Sequence, residues 1–340
     1  MLHARPALHI LATLALLGCG RRQAPVYAEP APCPYDGADP EPYQPASPPS
    51  SPGSQPVRVS PASFEAPRAP PVPPSCEAHE ACQGESCCTR LELPAGVLLE
   101  ANGQRVDVEG YALDKYELTV GRVRAWAERG AALPRPGTVV GRRSDGSPVL
   151  WQAEWRAAAA EGLASWDRYD TYRTGQATLP KNFLDAYTAM AVCAFDGGRL
   201  PSDAEWRYAA RGGEEGRRYP WGSEPISPEL AVYNCGGDGD PSCSLADLLP
   251  VGSKARGAGR WGHMDLAGSV FEWTADAVSG AEAISRGGGF CYIGGVDRRA
   301  RSAGTAENHR RDAPHTTSHM VGARCAYDLP GEARVVTASR

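Results

Sequence analysis

The sequence predicts a single α+β domain, rich in loops, behind a long proline-rich leader. Three observations point there. Helical periodicity appears in three short stretches only, and runs of Gly, Asp and Pro turns follow the last of them. Eight Trp and 38 Gly stand against five Phe, the composition of a loop-rich core anchored on a few large aromatics. The prolines are segregated: 17 of the 31 fall between Gly20 and Pro74. At 340 residues, one large domain or two small ones would fit. The composition favours one, over residues 76–330, with a short tail at 331–340.

Residues 1–19 read as a lipoprotein signal. His3 and Arg5 form a weakly basic start, Leu8 to Leu17 is a short apolar run, and Leu16-Leu17-Gly18-Cys19 fits a lipobox, in which Cys19 takes the lipid. The alternative is an ordinary cleaved signal peptide. The run is far below the roughly 20 residues a spanning helix needs. The expected product is exported and anchored by lipid to the bacterial cell envelope. Gly20 gives no inner-membrane retention signal, which favours the outer membrane. Residues 20–75 then form a disordered linker: Pro, Ser, Ala and Glu without an apolar period cannot offset the entropy of ordering. Proline biases such a chain toward extended polyproline II.

The net charge of −5 excludes a polyanion partner, and nucleic acid with it, although Arg298, Arg299 and Arg301 make a small basic cluster. Eleven cysteines in an exported chain imply disulfides, and ten remain once Cys19 is lipidated. Cys76, Cys82, Cys87 and Cys88 are dense enough to raise the question of zinc. Beside an exported linker, a disulfide knot is the better reading, with adjacent Cys87 and Cys88 pairing to different partners.

Within the domain, Tyr111 to Glu117 reads as a strand. Thr119 caps a helix over Val120 to Glu128, where Val120, Val123 and Trp126 share a face and Gly130 stops it. A second helix runs from Leu184 to Phe195 and ends at Gly197-Gly198. Ser202 and Glu205 form a capping box for a third helix, which ends at Arg211 before Gly212-Gly213. Beyond it come short strands and turns, as from Asn234 to Pro241.

Five motifs occur in order: Leu200-Pro201-Ser202-Asp203-Ala204-Glu205-Trp206-Arg207, Tyr219-Pro220-Trp221-Gly222, Asp265 to Trp273 (D-L-A-G-S-V-F-E-W), Arg286-Gly287-Gly288, and Gly322-Ala323-Arg324-Cys325. This set resembles the formylglycine-generating enzyme family, the sulfatase-modifying factors, over about residues 93–327. The resemblance implies a C-type-lectin-like α+β fold. It also implies a structural calcium in the loop of Asp265, Gly268, Val270 and Glu272. Asp265 stands for an Asn, and Gly268 and Val270 sit where the family uses backbone carbonyls. A Gly-containing turn with acids at both ends supplies the oxygens calcium prefers. A second family calcium loop matches at Asn234 and Cys235, with Asp247, Asp238 or Asp240 as its later carboxylate. Cys235 and Cys243 close a short loop and are expected to pair, replacing that metal. Cys193 and Cys325 match a family disulfide, worth roughly 4–5 kcal/mol in the chain-entropy model. A second family pair would fall at Ala210 and Ser302, where both cysteines are absent together.

The family's reaction oxidises a sulfatase cysteine to an aldehyde with dioxygen, using copper(I) held between two cysteines; soft thiolates select that ion. Here Gly289 takes the place of the loop's serine. Cys291 comes one residue early and Tyr292 holds the first cysteine's place. The second place falls at Val296 or Asp297. With one thiolate, this loop alone makes no linear copper(I) site, so copper is not expected. Cys291 is expected to be bonded to Cys33, Cys76, Cys82, Cys87 or Cys88. His309, His315 and His319 are expected on the surface, since Pro314 and the Thr-Thr-Ser run argue against a helix that would pair His315 with His319. The iron site of the related sulfoxide synthases lies on a separate helical domain that the proline linker does not supply. The expected function is a surface lipoprotein that binds an extended peptide or a glycan without making formylglycine. The alternatives are a divergent metal-dependent oxidoreductase using Cys291 or the late histidines, and the family reaction itself.

Overall fold

The computed structural model describes residues 73–76, 81–100, 103–157, 163–165, 167–235, 244–276, 278, 280, 282–291 and 308–329. These all fall within one unit of the chain, Cys33–Arg340. The expected signal segment 1–19 with Cys19, the expected linker up to residue 72 and the tail 331–340 lie outside the described residues.

The chain opens with two small hairpin strands, β1 (Ala81–Cys82) and β2 (Glu85–Ser86), then β3 (Arg90–Leu93), β4 (Gly96–Leu99), β5 (Arg105–Val108) and β6 (Tyr111–Asp114). Helix α1 (Val120–Glu128), strands β7 (Val139–Arg142) and β8 (Pro148–Leu150), and helices α2 (Ala186–Phe195) and α3 (Asp203–Arg211) follow. Beyond α3 the described residues add short 3-10 turns and the strands β9 (Phe271–Trp273), β10 (Ala283–Arg286), β11 (His309–Asp312), β12 (Val321–Gly322) and β13 (Ala326–Asp328). No described helix is long and apolar enough to cross a membrane.

The helix signals act as their chemistry dictates. The Thr119 side chain accepts from the Arg122 amide, and the Ser202–Glu205 box is closed in both directions. Gly212 caps α3 in the left-handed conformation that glycine adopts without strain. Helix α2 begins at Ala186 rather than Leu184, because the Asp185 side chain accepts from the Thr188 amide and so sets the N-cap. The strand expected to reach Glu117 ends at Asp114.

Two sheets organise the fold. One has the order β13-β6-β3 and is antiparallel throughout, so the last described strand lies against one from the start of the described domain. The other has the order β11-β10-β9-β12, with β12 parallel to β9. Helices α1 and α2 share one apolar core with Phe271 and Trp273 of β9. Helix α3 packs Trp206 and Tyr208 against Leu93, Leu98 and Leu113. The Cys193–Cys325 bridge ties α2 to the approach of β13.

Buried ion pairs join what the sheets do not. Arg122, fully buried, donates to Asp114 and Asp196 at 2.7 Å each. Its Nε also donates to the Ser75 hydroxyl at 3.2 Å. Ser75 in turn donates its amide and hydroxyl to Asp196 and is 3% exposed. The residue placed at the linker's end is therefore part of the folded domain. Arg324, also fully buried, meets Glu272 bidentately at 2.6 Å for both bonds and donates to the carbonyls of Asp114, Lys115 and Met264. The Trp206 indole donates to the same carboxylate at 2.7 Å.

Removing one partner leaves the other buried and uncompensated. Glu272→Ala is expected to cost about 3–5 kcal/mol, and the double variant Glu272→Met/Arg324→Met to recover much of it. Urea unfolding of the three proteins measures both.

Candidate active site

The cysteine loop is positioned by α3. Arg286, the last residue of β10, pairs with Asp203 at 2.6 and 2.8 Å. Gly287 follows with φ +104°, and a Cβ there would stand 3.3 Å from the Trp206 ring, so the position needs glycine. The Phe290 amide donates to the Ser269 carbonyl at 2.6 Å, and the Cys235 amide donates to the Phe290 carbonyl at 2.9 Å. Two distant segments thus clamp the loop just before Cys291.

The sulfurs of Cys291 and Cys235 lie 3.8 Å apart. Both are disulfide-bonded, but a disulfide bond spans about 2.05 Å, so they are not partners of each other. Four of the five partners expected for Cys291 are excluded, because Cys76 is bridged to Cys88 and Cys82 to Cys87. The fifth, Cys33, and the partner expected for Cys235, Cys243, lie outside the described residues, as do Tyr292, Val296, Asp297 and Ser302.

An aromatic wall flanks the loop. Tyr169 stands 6.1 Å from Phe290 and 5.4 Å from His319, and His319 also meets Phe290 and Phe183. Leu245, Met320 and Cys291 pack on the same cluster. Outside it lies a cleft of about 390 Å³ lined by Asp167, Arg168, Asp170, Arg173, Thr174 and Leu245. A smaller one of about 130 Å³ shares Arg168 and Leu245 with it and reaches Tyr169. Arg168 caps this wall, its guanidinium 4.9 Å from the Tyr169 ring centre. Asp170 is committed elsewhere: it accepts from Lys181 at 3.3 Å and from the Tyr172 amide.

The three late histidines do not converge. His309 lies on β11 and His315 on a turn, both exposed. His319 is half-buried within the aromatic wall, and burial holds its imidazole below the usual range. His315 and His319 are not on a helix. Nothing in the sequence separated His319 from the others; two of its ring partners, Tyr169 and Phe183, lie over a hundred positions away.

The acidic loop sits beneath the cysteine loop. Asp265 has φ +58° and accepts from the Gly252 amide at 2.5 Å. Gly268 has φ +82°, and a Cβ there would lie 2.2 Å from the Val232 carbonyl oxygen, so no side chain fits. Glu117, which sequence reasoning left unassigned, accepts from the Ser269 hydroxyl at 2.8 Å and the Val270 amide at 3.1 Å. Burial first, then the charges of Asp265 and Glu272, push its carboxyl well above the usual range. Burial also pushes Asp265 up to about 6. Two buried carboxylates, Glu117 and Glu272, and the half-buried Asp265 thus face one buried guanidinium, Arg324, an acid surplus that a bound cation would relieve. Glu272 departs from the simple ligand role, because both of its oxygens already accept from Arg324. Among the described residues no three His, Cys, Asp or Glu side chains group as a metal cage, so backbone carbonyls would have to complete one. At the second expected loop, Asn234 and Cys235 both take positive φ. The Asp247 carboxylate accepts from the Ser244 amide and caps its own turn. Asp238 and Asp240 lie outside the described residues.

In calcium-free buffer, Asp265 is expected to lower stability as pH rises from about 4 to about 6. The folded state keeps a proton there that the unfolded chain releases near 3.8, so the contribution is full below that value and lost above the folded one. Urea midpoints across this range should fall less steeply in Asp265→Asn than in the parent.

Residues 82–329 match the family model described as "Sulfatase-modifying factor enzyme 1-like domain". The formylglycine-generating enzyme of Mus musculus is 24% identical over 270 residues, covering 67% of this chain and 69% of that protein. The inactive C-alpha-formylglycine-generating enzyme 2 of Bos taurus is 33% identical over 200 residues, covering 54% of this chain and 62% of that one. Among solved structures, PvdO from Pseudomonas aeruginosa is 19% identical, with a TM-score of 0.47, covering 71% of this chain and 94% of that one.

Proposed function

The chain belongs to the sulfatase-modifying factor family, and we propose that it is a member that binds an extended peptide or a glycan beside the cysteine loop without converting cysteine to formylglycine. One observation carries this reading: the loop after Arg286-Gly287-Gly288 contributes the single sulfur of Cys291, and that sulfur is already bonded. Copper(I) in a two-thiolate site needs two reduced sulfurs, and the second place in this loop is held by Val296 or Asp297. The charges of Asp167, Arg168 and Arg173 along the larger cleft, and the Tyr169 ring that lines the smaller one, supply what a polar extended chain requires. The similarity to an inactive relative agrees with this.

Calcium enters the same reading as a structural ion. Asp265, the carbonyls of Gly268 and Val270, and a Glu272 shared with Arg324 would hold it, and it would balance the surplus carboxylate charge. The lipobox at Cys19 supports anchorage to the cell envelope, with the outer membrane as the address. Loss of labelled palmitate from Cys19→Ser tests that anchor.

A labelled sulfatase-motif peptide, mixed in air with the copper(I)-treated protein, is expected to bind while its cysteine stays unconverted by mass spectrometry. Tyr169→Ala should weaken binding by about tenfold, the scale of one lost aromatic contact. Aldehyde formation that vanishes in Cys291→Ser would sink the non-catalytic reading. Calcium at about a hundred times its dissociation constant is expected to add about 2.7 kcal/mol of stability; an unfolding midpoint unmoved by calcium or chelator rejects the ion.

A further inference from the structure

Resting on the peptide-binding reading above, we propose that the paired clefts beside Tyr169 select an acidic side chain two positions from an apolar one, with Arg168 and Arg173 taking the carboxylate. The acids at this place are already engaged. Asp170, 1% exposed, accepts from the amides of Ser165 and Tyr172 and from the Lys181 ammonium. Asp167 accepts from the Tyr169 amide at 2.8 Å. Thr174 gives its hydroxyl to the Thr171 carbonyl at 2.8 Å. The guanidinia face outward. Arg168 and Arg173 are both exposed, and both line the cleft of about 390 Å³. Arg168 lies on the Tyr169 ring and donates to its hydroxyl at 3.0 Å. A guanidinium carries more donors than that bond uses, and its planar fork matches a carboxylate in two bonds. Arg173 donates to the Ser165 carbonyl at 3.3 Å. Ser165 is thus held at its amide by Asp170 and at its carbonyl by Arg173, which fixes the rim that carries both arginines.

The apolar requirement comes from the neighbouring space. The cleft of about 130 Å³ is lined by Tyr169 and Leu245 and shares Arg168 with the larger one. Tyr169 and Leu245 belong to the same apolar cluster as Leu248 and Phe290. An apolar side chain fills such a space, whereas a polysaccharide presents hydroxyls to it. In an extended peptide, residues two apart point the same way. One such pair therefore places its apolar member against Leu245 and its acidic member between the arginines.

Fluorescence anisotropy with the full chain tests this. The probe is a short Ala/Ser peptide carrying one Leu and, two positions on, one Glu; control peptides have Gln for the Glu or Ala for the Leu. The Glu peptide is expected to bind about tenfold more tightly than the Gln peptide, the scale of hydrogen bonds to a charged group. The preference should shrink as salt rises, since both arginines are exposed. It should vanish in Arg168→Gln/Arg173→Gln and persist in Arg311→Gln, an exposed guanidinium on β11. Should the double variant misfold, the Glu–Gln comparison in the unsubstituted protein decides alone. Equal affinity for the two peptides, or a preference that survives in the double variant, would overturn the proposal. Trigalacturonate that displaces the Glu peptide and binds more tightly would reassign the site to an acidic glycan and overturn it too. A sulfatase-motif peptide that binds while Glu earns no preference removes this selectivity alone; failure of every peptide to bind removes the peptide-binding reading with it.

Discussion

The buried pair of Arg324 and Glu272 is the constraint on which the architecture turns. Glu272 comes from β9, Arg324 from the segment before β13, and Trp206, which donates to the same carboxylate, from α3. Arg324 also satisfies carbonyls at Asp114 and Lys115, so the first sheet is tied to the same point. Charges this deep are tolerated only when every oxygen and N–H finds a partner. The partners come from segments some two hundred residues apart, so the pair can form only when helix, both sheets and chain end are placed together.

This convergence explains what the sequence motifs are. Trp206, Glu272 and Arg324 meet at one carboxylate, and Asp203 meets Arg286. Four of the five motifs that carry the family resemblance are therefore spent on holding one another. Their presence reports the scaffold. Membership of the family therefore does not by itself carry the family's reaction.

The local elements were legible because their determinants are local. Thr119, Asp185, Ser202 with Glu205, and Gly212 mark helix ends through bonds to residues two to four positions away. The capping role of Asp185 explains the late start of α2. The site was legible only where a motif stood for it. Glu117 shares its charge with Asp265 across the fold, and Tyr169, Phe290 and His319 become neighbours through pairings more than a hundred residues long. No spacing rule registers such contacts. The sequence also left Ser75 in the linker, because a single serine after a proline run carries no sign that Asp196 and Arg122 await it.

That serine has a mechanical consequence. The upstream chain joins the domain where Ser75 is locked to Asp196 and Arg122 and where Cys76 is bridged to Cys88. A pull applied through the upstream chain is delivered to a covalent cross-link and a buried ion cluster at the start of α1. The load path stops there, and the cleft beside Tyr169 stays slack, so its geometry is insulated from a force applied upstream.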